Sequence, residues 1–162
     1  MYHTPKHFAI EEVFPPETVQ DSLENGIVKQ DIWRIMDLRI LLTLDRLRER
    51  FGTTVVNDYL WGGSNTYRGF RPSNSLVDLD YLRRYREFKA SWSSFTSQHC
   101  FGRAIDCKFK SVSAEEVRAD IKADPFNPIY EYITAVEENT SWLHFDVRSW
   151  NKQESGILFF NA

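Results

Sequence analysis

Two stretches decide the fold: Ala104-Ile105-Asp106-Cys107-Lys108-Phe109 and Trp142-Leu143-His144-Phe145-Asp146-Val147-Arg148. In the first, Ile105, Cys107 and Phe109 fall on one side of an extended chain, and Ala104, Asp106 and Lys108 on the other. In the second, Leu143, Phe145 and Val147 alternate with Trp142, His144, Asp146 and Arg148. Such period-two alternation predicts strands with one face on a core. Upstream the period changes. Met36, Ile40, Leu44, Leu47 and Phe51 recur at steps of three or four, which predicts a helix over 31–51 stopped at Gly52. Pro16 suits the first turn of a short helix ending before Gly26, and Ser113 with Glu116 is a capping-box signature for a helix ending before Pro125. Leu76, Leu79, Leu82, Tyr85 and Phe88 predict a further helix over 76–88, Thr53–Val56 a short strand, and residues 1–14 an extended arm. Helices first and strands later predict an α+β fold, an antiparallel sheet covered by helices on one face.

The chain has 162 residues and neither repeat nor linker tract, so a single domain over 1–162 is expected. With 42% hydrophobic and 27% charged residues it has the material for a core, which excludes the disordered and low-complexity classes. The formal charge of −3 and the lack of a basic tract argue against nucleic acid as a main partner. No apolar run approaches the length of a membrane span. The start, MYHTPKHFAIEEVFPP, lacks the basic-then-apolar layout of a secretory signal, so synthesis in the cytoplasm is expected. Cys100 and Cys107 read as small thiols rather than a disulfide.

Four histidines are present: His3, His7, His99 and His144. His3 and His7 lie in the arm around Pro5 and read as incidental. In Ser97-Gln98-His99-Cys100-Phe101-Gly102-Arg103-Ala104-Ile105-Asp106, a helix would hold His99 and Asp106 roughly 10 Å apart. That is too far for two ligands of one ion at about 2 Å each. The chain must turn, and Gly102 permits it. Asp106 then shares the strand face that carries His144. Two imidazoles and one carboxylate suit a zinc ion with an open fourth position. A polar sheet face with hydrogen-bonded histidines accounts for the same spacing.

The pattern Ser97-x-His99-x-x-Gly102-x-Ala104-x-Asp106, followed by Trp142-Leu143-His144-Phe145-Asp146-Val147, resembles the D-alanyl-D-alanine carboxypeptidase family of zinc peptidases. That family includes many phage-encoded peptidoglycan endopeptidases, and the hedgehog signalling domain shares its fold. Gly69-Phe70-Arg71 is similar to the family's Gly-Tyr-Arg segment, so the resemblance spans about residues 53–150. It implies Zn²⁺ on His99, Asp106 and His144, on the sheet face opposite the helices. It implies that Arg71 binds a substrate carboxylate or polarises the scissile carbonyl. The implied activity is hydrolysis of an amide bond in the peptide stem of peptidoglycan, by carboxypeptidase or endopeptidase action. A phage origin, with endolysin-like action at the cell wall, follows from the same likeness. Ser97 and Asp146 are expected to hydrogen-bond around the ligands, zinc-bound imidazoles usually donating their outer N–H to a carboxylate or carbonyl.

The general base departs from the family pattern. Many members carry Asp or Glu three residues before the last histidine ligand, where this chain has Ser141. Serine cannot shuttle the proton. Glu137 and Glu138 are the candidates, on a predicted hairpin of 133–138 and 142–148. A three-residue loop pairs Glu138 with Trp142 and turns it to the His144 face; a two-residue loop puts Glu137 there. The hedgehog domain's glutamate, six residues before its last zinc-ligating histidine, matches the offset of Glu138, which is the expected base. Trp142 is expected to wall the cleft or to pack. Arg103 and Arg148 read as surface charge or as contacts to an acidic substrate group. Tyr81, Tyr85, Phe88, Trp92 and Phe95 in 73–96 would form a satellite cluster or a lid. The missing acid at Ser141 leaves a rival expectation, a zinc-stabilised non-catalytic binding domain or phage structural domain of the same fold.

Overall fold

A computed structural model describes residues 3–72 and 97–161. Among the described residues five strands form one sheet: β1 (Thr54–Val55), β2 (Ala104–Phe109), β3 (Ala135–Glu137), β4 (Leu143–Asp146) and β5 (Leu158–Phe160), in the order β1-β2-β4-β3-β5. The two alternating stretches are its centre. β2 and β4 pair antiparallel, with Asp106 opposite His144 and Ala104 opposite Asp146. The sheet is mixed rather than purely antiparallel, because β5 runs parallel to β3. The geometry requires this: β4 reverses the direction of β3, and a chain that reverses once more and docks on the free edge of β3 must run with it.

The helices are α1 (Pro16–Glu24), α2 (Leu38–Phe51), α3 (Ala114–Ala123) and α4 (Lys152–Ser155). α2 packs on β1 and β2, and α3 on β4. Ile40, Leu44 and Leu47 of α2 and Val117 and Ile121 of α3 join Ile105, Cys107, Leu143 and Phe145 in one buried cluster. The helices thus cover the apolar face, and the other face carries Asp106 and His144. Ser113 caps α3 as expected: its Oγ accepts the Glu116 N–H at 3.2 Å and the Glu116 carboxylate accepts the Ser113 N–H at 2.7 Å.

Two further expectations change. The periodic stretch 31–51 is not one helix but a 3₁₀ segment, Lys29–Ile35, followed by α2. Met36 between them is extended, and Asp37 caps α2 by accepting the Arg39 N–H at 3.0 Å. The Asp37 N–H meanwhile donates to Gly102 O at 2.9 Å, a tertiary bond that a continuous helix would forgo. The arm, too, is more than extended chain. It makes a 3₁₀ turn at Ile10–Glu12, buries Val13 and Phe14 completely, and is pinned to α2 by His3 on Asp45 (2.8 Å) and His7 on Glu49 (3.3 Å). The helix expected over 76–88 and the aromatic group of 73–96 lie outside the described residues. Among the described residues no helix is long and apolar enough to cross a membrane.

Candidate metal centre

His99 reaches the sheet from a 3₁₀ turn, Gln98–Phe101, that precedes β2. Ser97 starts this turn, its Oγ accepting the His99 N–H at 3.3 Å. Gly102 ends it in the left-handed conformation, φ 64°. A Cβ there would also stand 2.4 Å from Ile35 O, so glycine is required twice over. The turn brings His99 Nε2 to 3.4 Å from Asp106 Oδ1. From the neighbouring strand, His144 Nδ1 lies 2.7 Å from the same oxygen.

One ligand atom from each of His99, Asp106 and His144 lies within 4.8 Å of the others. Ligands about 2 Å from a tetrahedral ion stand roughly 3.3 Å apart, so small side-chain adjustments would seat one. The outer nitrogens support the same conclusion. His99 Nδ1 lies 2.8 Å from Gly69 O, and a carbonyl can only accept, so Nδ1 carries a proton and Nε2, which faces Asp106, is the nitrogen that could offer a lone pair to a metal. His144 Nε2 lies 3.3 Å from Asp146 Oδ2, which leaves Nδ1 as the inward atom. Each imidazole is thus oriented from behind, the arrangement that metal-binding histidines use. Gly69 itself has no space for a side chain, since a Cβ would fall 2.0 Å from Val13 O.

Electrostatics follow from the burial. Burial works against the charged form of His144, yet hydrogen bonds and charge from Asp106 and Asp146 raise its pKa to about 9 in the metal-free protein. Burial likewise opposes ionisation of Asp106, but the two histidines outweigh it and hold the carboxyl far below its usual range. Asp146 is kept ionised against burial by His144 and by the Arg148 guanidinium, which grips it through Nε and Nη2.

The register of β3 on β4 decides which glutamate shares the face of His144. Ala135 pairs with Asp146 and Val136 with Phe145. One step further puts Glu137 opposite His144, and directly paired residues share a face. Glu137 also pairs with Phe160 of β5. A single transverse row therefore reads Asp106, His144, Glu137, Phe160. Burial raises the Glu137 pKa, and the negative Asp106 adds to this, while His144, His99 and Arg118 pull it down. Glu138, the residue expected from a three-residue loop, is one position out of phase and forms an ion pair with Lys122 on α3. The physical cause is the connection: the register sets Glu138 opposite Leu143, so four residues (139–142) join the paired positions instead of three.

Of the remaining expected residues, Ser97 and Arg71 lie beside His99. The Arg71 N–H donates to His99 O at 3.3 Å, and its guanidinium lies 3.5 Å from Ser97 Oγ and 3.4 Å from Tyr67 O. Its Nε is buried without a hydrogen-bond partner among the described residues. Trp142 lies under the Arg68 guanidinium, 5.6 Å from ring centroid to Cζ. Arg103 turns away to Asp37, at 3.8 Å. The two cysteines form no disulfide, and Cys107 is in the core. Sequence reasoning missed Gly69 as the acceptor behind His99, and Phe160, whose ring meets His144 edge-on at 5.9 Å. The Gly69-Phe70-Arg71 segment was visible, but a backbone carbonyl carries no signal in residue type. Comparison with protein-family models, curated proteins and solved structures finds no match to this chain.

Proposed function

We propose that this chain is a zinc-dependent peptidase that hydrolyses an amide bond in the peptide stem of bacterial peptidoglycan, similar in kind to the D-alanyl-D-alanine carboxypeptidase family. The observation that carries the reading is the transverse row in which Asp106 and Glu137 flank His144, with His99 closing the three-ligand group. Zn²⁺ bound by His99 Nε2, Asp106 Oδ1 and His144 Nδ1 would acidify a water and polarise a carbonyl. The chain's own residues do the rest. Glu137 sits on the same face, half-buried and with a raised pKa, which suits a group that takes a proton from the attacking water and returns it to the departing amine nitrogen. Arg71, its guanidinium 3.5 Å from Ser97 Oγ, supplies a positive charge for a substrate carboxylate or the developing oxyanion. Trp142 and Phe160 line the row with apolar surface. Glu137 replaces Glu138 as the general base, and the acid missing at Ser141 is no longer needed.

The test is digestion of purified cell-wall sacculi followed by mass analysis of the fragments. Fragments that form with zinc and vanish with a chelator support the peptidase and identify the bond. Binding to sacculi without fragments supports the rival, a zinc-stabilised binding or phage structural domain.

A further inference from the structure

Arg118 has a guanidinium that the metal-site chemistry does not use. It projects from α3, 3% exposed, toward the connection between β3 and β4. Nη1 donates to Glu137 O (3.4 Å), Thr140 Oγ1 (3.4 Å) and Trp142 O (3.0 Å), and Nη2 to Thr140 O (2.8 Å). Nε is paired with Glu115 at 2.9 Å. One side chain thus holds the last residue of β3, the turn, and the residue before β4. The turn is further fixed by Thr140 Oγ1 donating to Trp142 O at 2.7 Å and by Asn139 at φ 61°, the one positive φ outside glycine among the described residues.

A turn held at both ends has one length, and turn length sets strand register. A slip of one residue inverts the faces, exchanging Glu137 for Glu138 opposite His144. The two are adjacent and chemically identical, and apart from the partly exposed Lys122 pair of Glu138 their own side chains do little to select between them. We infer that Arg118 is a positioning residue that locks the β3–β4 register and so selects Glu137 as the carboxylate beside the metal ligands. This rests on the role given to Glu137 above.

The experiment compares Arg118→Gln and Arg118→Lys with the wild type as zinc-loaded full chains. In Arg118→Gln, kcat on a stem peptide falls about 100-fold, the size of loss that a displacement near 1 Å brings. KM and zinc stoichiometry stay unchanged. Arg118→Lys, which restores a buried donor cation, recovers part of kcat. In parallel, nuclear Overhauser contacts between Glu137 and His144 weaken in Arg118→Gln. A Gln variant that folds with wild-type kcat and wild-type contacts overturns the proposal, as does one that merely loses stability with both intact. Should neither Arg118 variant fold, Thr140→Ala carries the test: reduced kcat with weakened contacts supports the clamp, and wild-type values overturn it. A wild-type chain that hydrolyses nothing defeats the peptidase reading alone, because the Overhauser comparison still decides the role of Arg118.

Discussion

Replacing Glu137 by Gln keeps the shape of the side chain and its half-buried position but removes the proton acceptor that the β3–β4 register sets opposite His144. General acid–base catalysis contributes about 10²–10⁴-fold, so kcat should fall by that factor, a barrier increase of about 2.7–5.4 kcal/mol. His99, Asp106 and His144 are untouched, so zinc stoichiometry should hold. Glu138→Gln is the internal control. It breaks a surface pair with Lys122, worth up to about 1 kcal/mol, and should leave kcat at the wild-type level. The variants have a second signature in metal-free protein. Because the folded-state pKa of Glu137 is raised, its ionisation opposes folding, and stability is lost as pH rises through that pKa. Glu137→Gln removes this term, so the inactive variant should be at least as stable as the wild type at neutral pH. The assays are steady-state release of stem-peptide fragments, metal analysis and thermal unfolding. Full activity in Glu137→Gln, or loss of activity confined to Glu138→Gln, would refute the register argument.

Further outcomes follow from the same geometry. Metal-free protein should lose stability as pH rises from about 6.5 to about 9, because His144 has its folded-state pKa raised to about 9 and is stabilising only while protonated; unfolding curves across that range check it. Free zinc a thousandfold above its dissociation constant should stabilise the fold by about 4.1 kcal/mol, or raise Tm by roughly 8–16 °C, and a chelator should reverse this in a calorimeter. Asp146→Ala removes the acceptor behind His144 Nε2 and should weaken zinc binding about 10–100-fold by competition titration, with the three ligands still present. Gly102→Ala forces a left-handed residue with a Cβ 2.4 Å from Ile35 O, and denaturant unfolding should show a loss of about 2–5 kcal/mol.

The centre of the sheet was legible because its residues answer to one simple constraint. In β2 and β4 one face must meet the core, so Ile105, Cys107, Leu143 and Phe145 announce themselves by alternation, and Asp106 and His144 are found by subtraction. Gly102 was legible for a similar reason, since no other turn brings His99 back to Asp106. What escaped depends on contacts between distant segments. The break at Met36 and Asp37 answers to the carbonyl of Gly102, and Asp37 as a capping residue was the one local clue. The choice between Glu137 and Glu138 turns on a single residue of loop length, held by Arg118 from another element. Ile157-Leu158-Phe159-Phe160 has no alternation to reveal a face or a direction, so its parallel pairing could not be read.

X-ray absorption at the zinc edge of the purified, metal-loaded chain tests the central claim most directly. The account predicts one zinc per chain with two imidazole nitrogens and oxygen ligands near 2.0–2.1 Å, one of the oxygens belonging to an exchangeable water. A chain that takes up no zinc, a sulfur ligand, or a fourth protein ligand closing the site would contradict it.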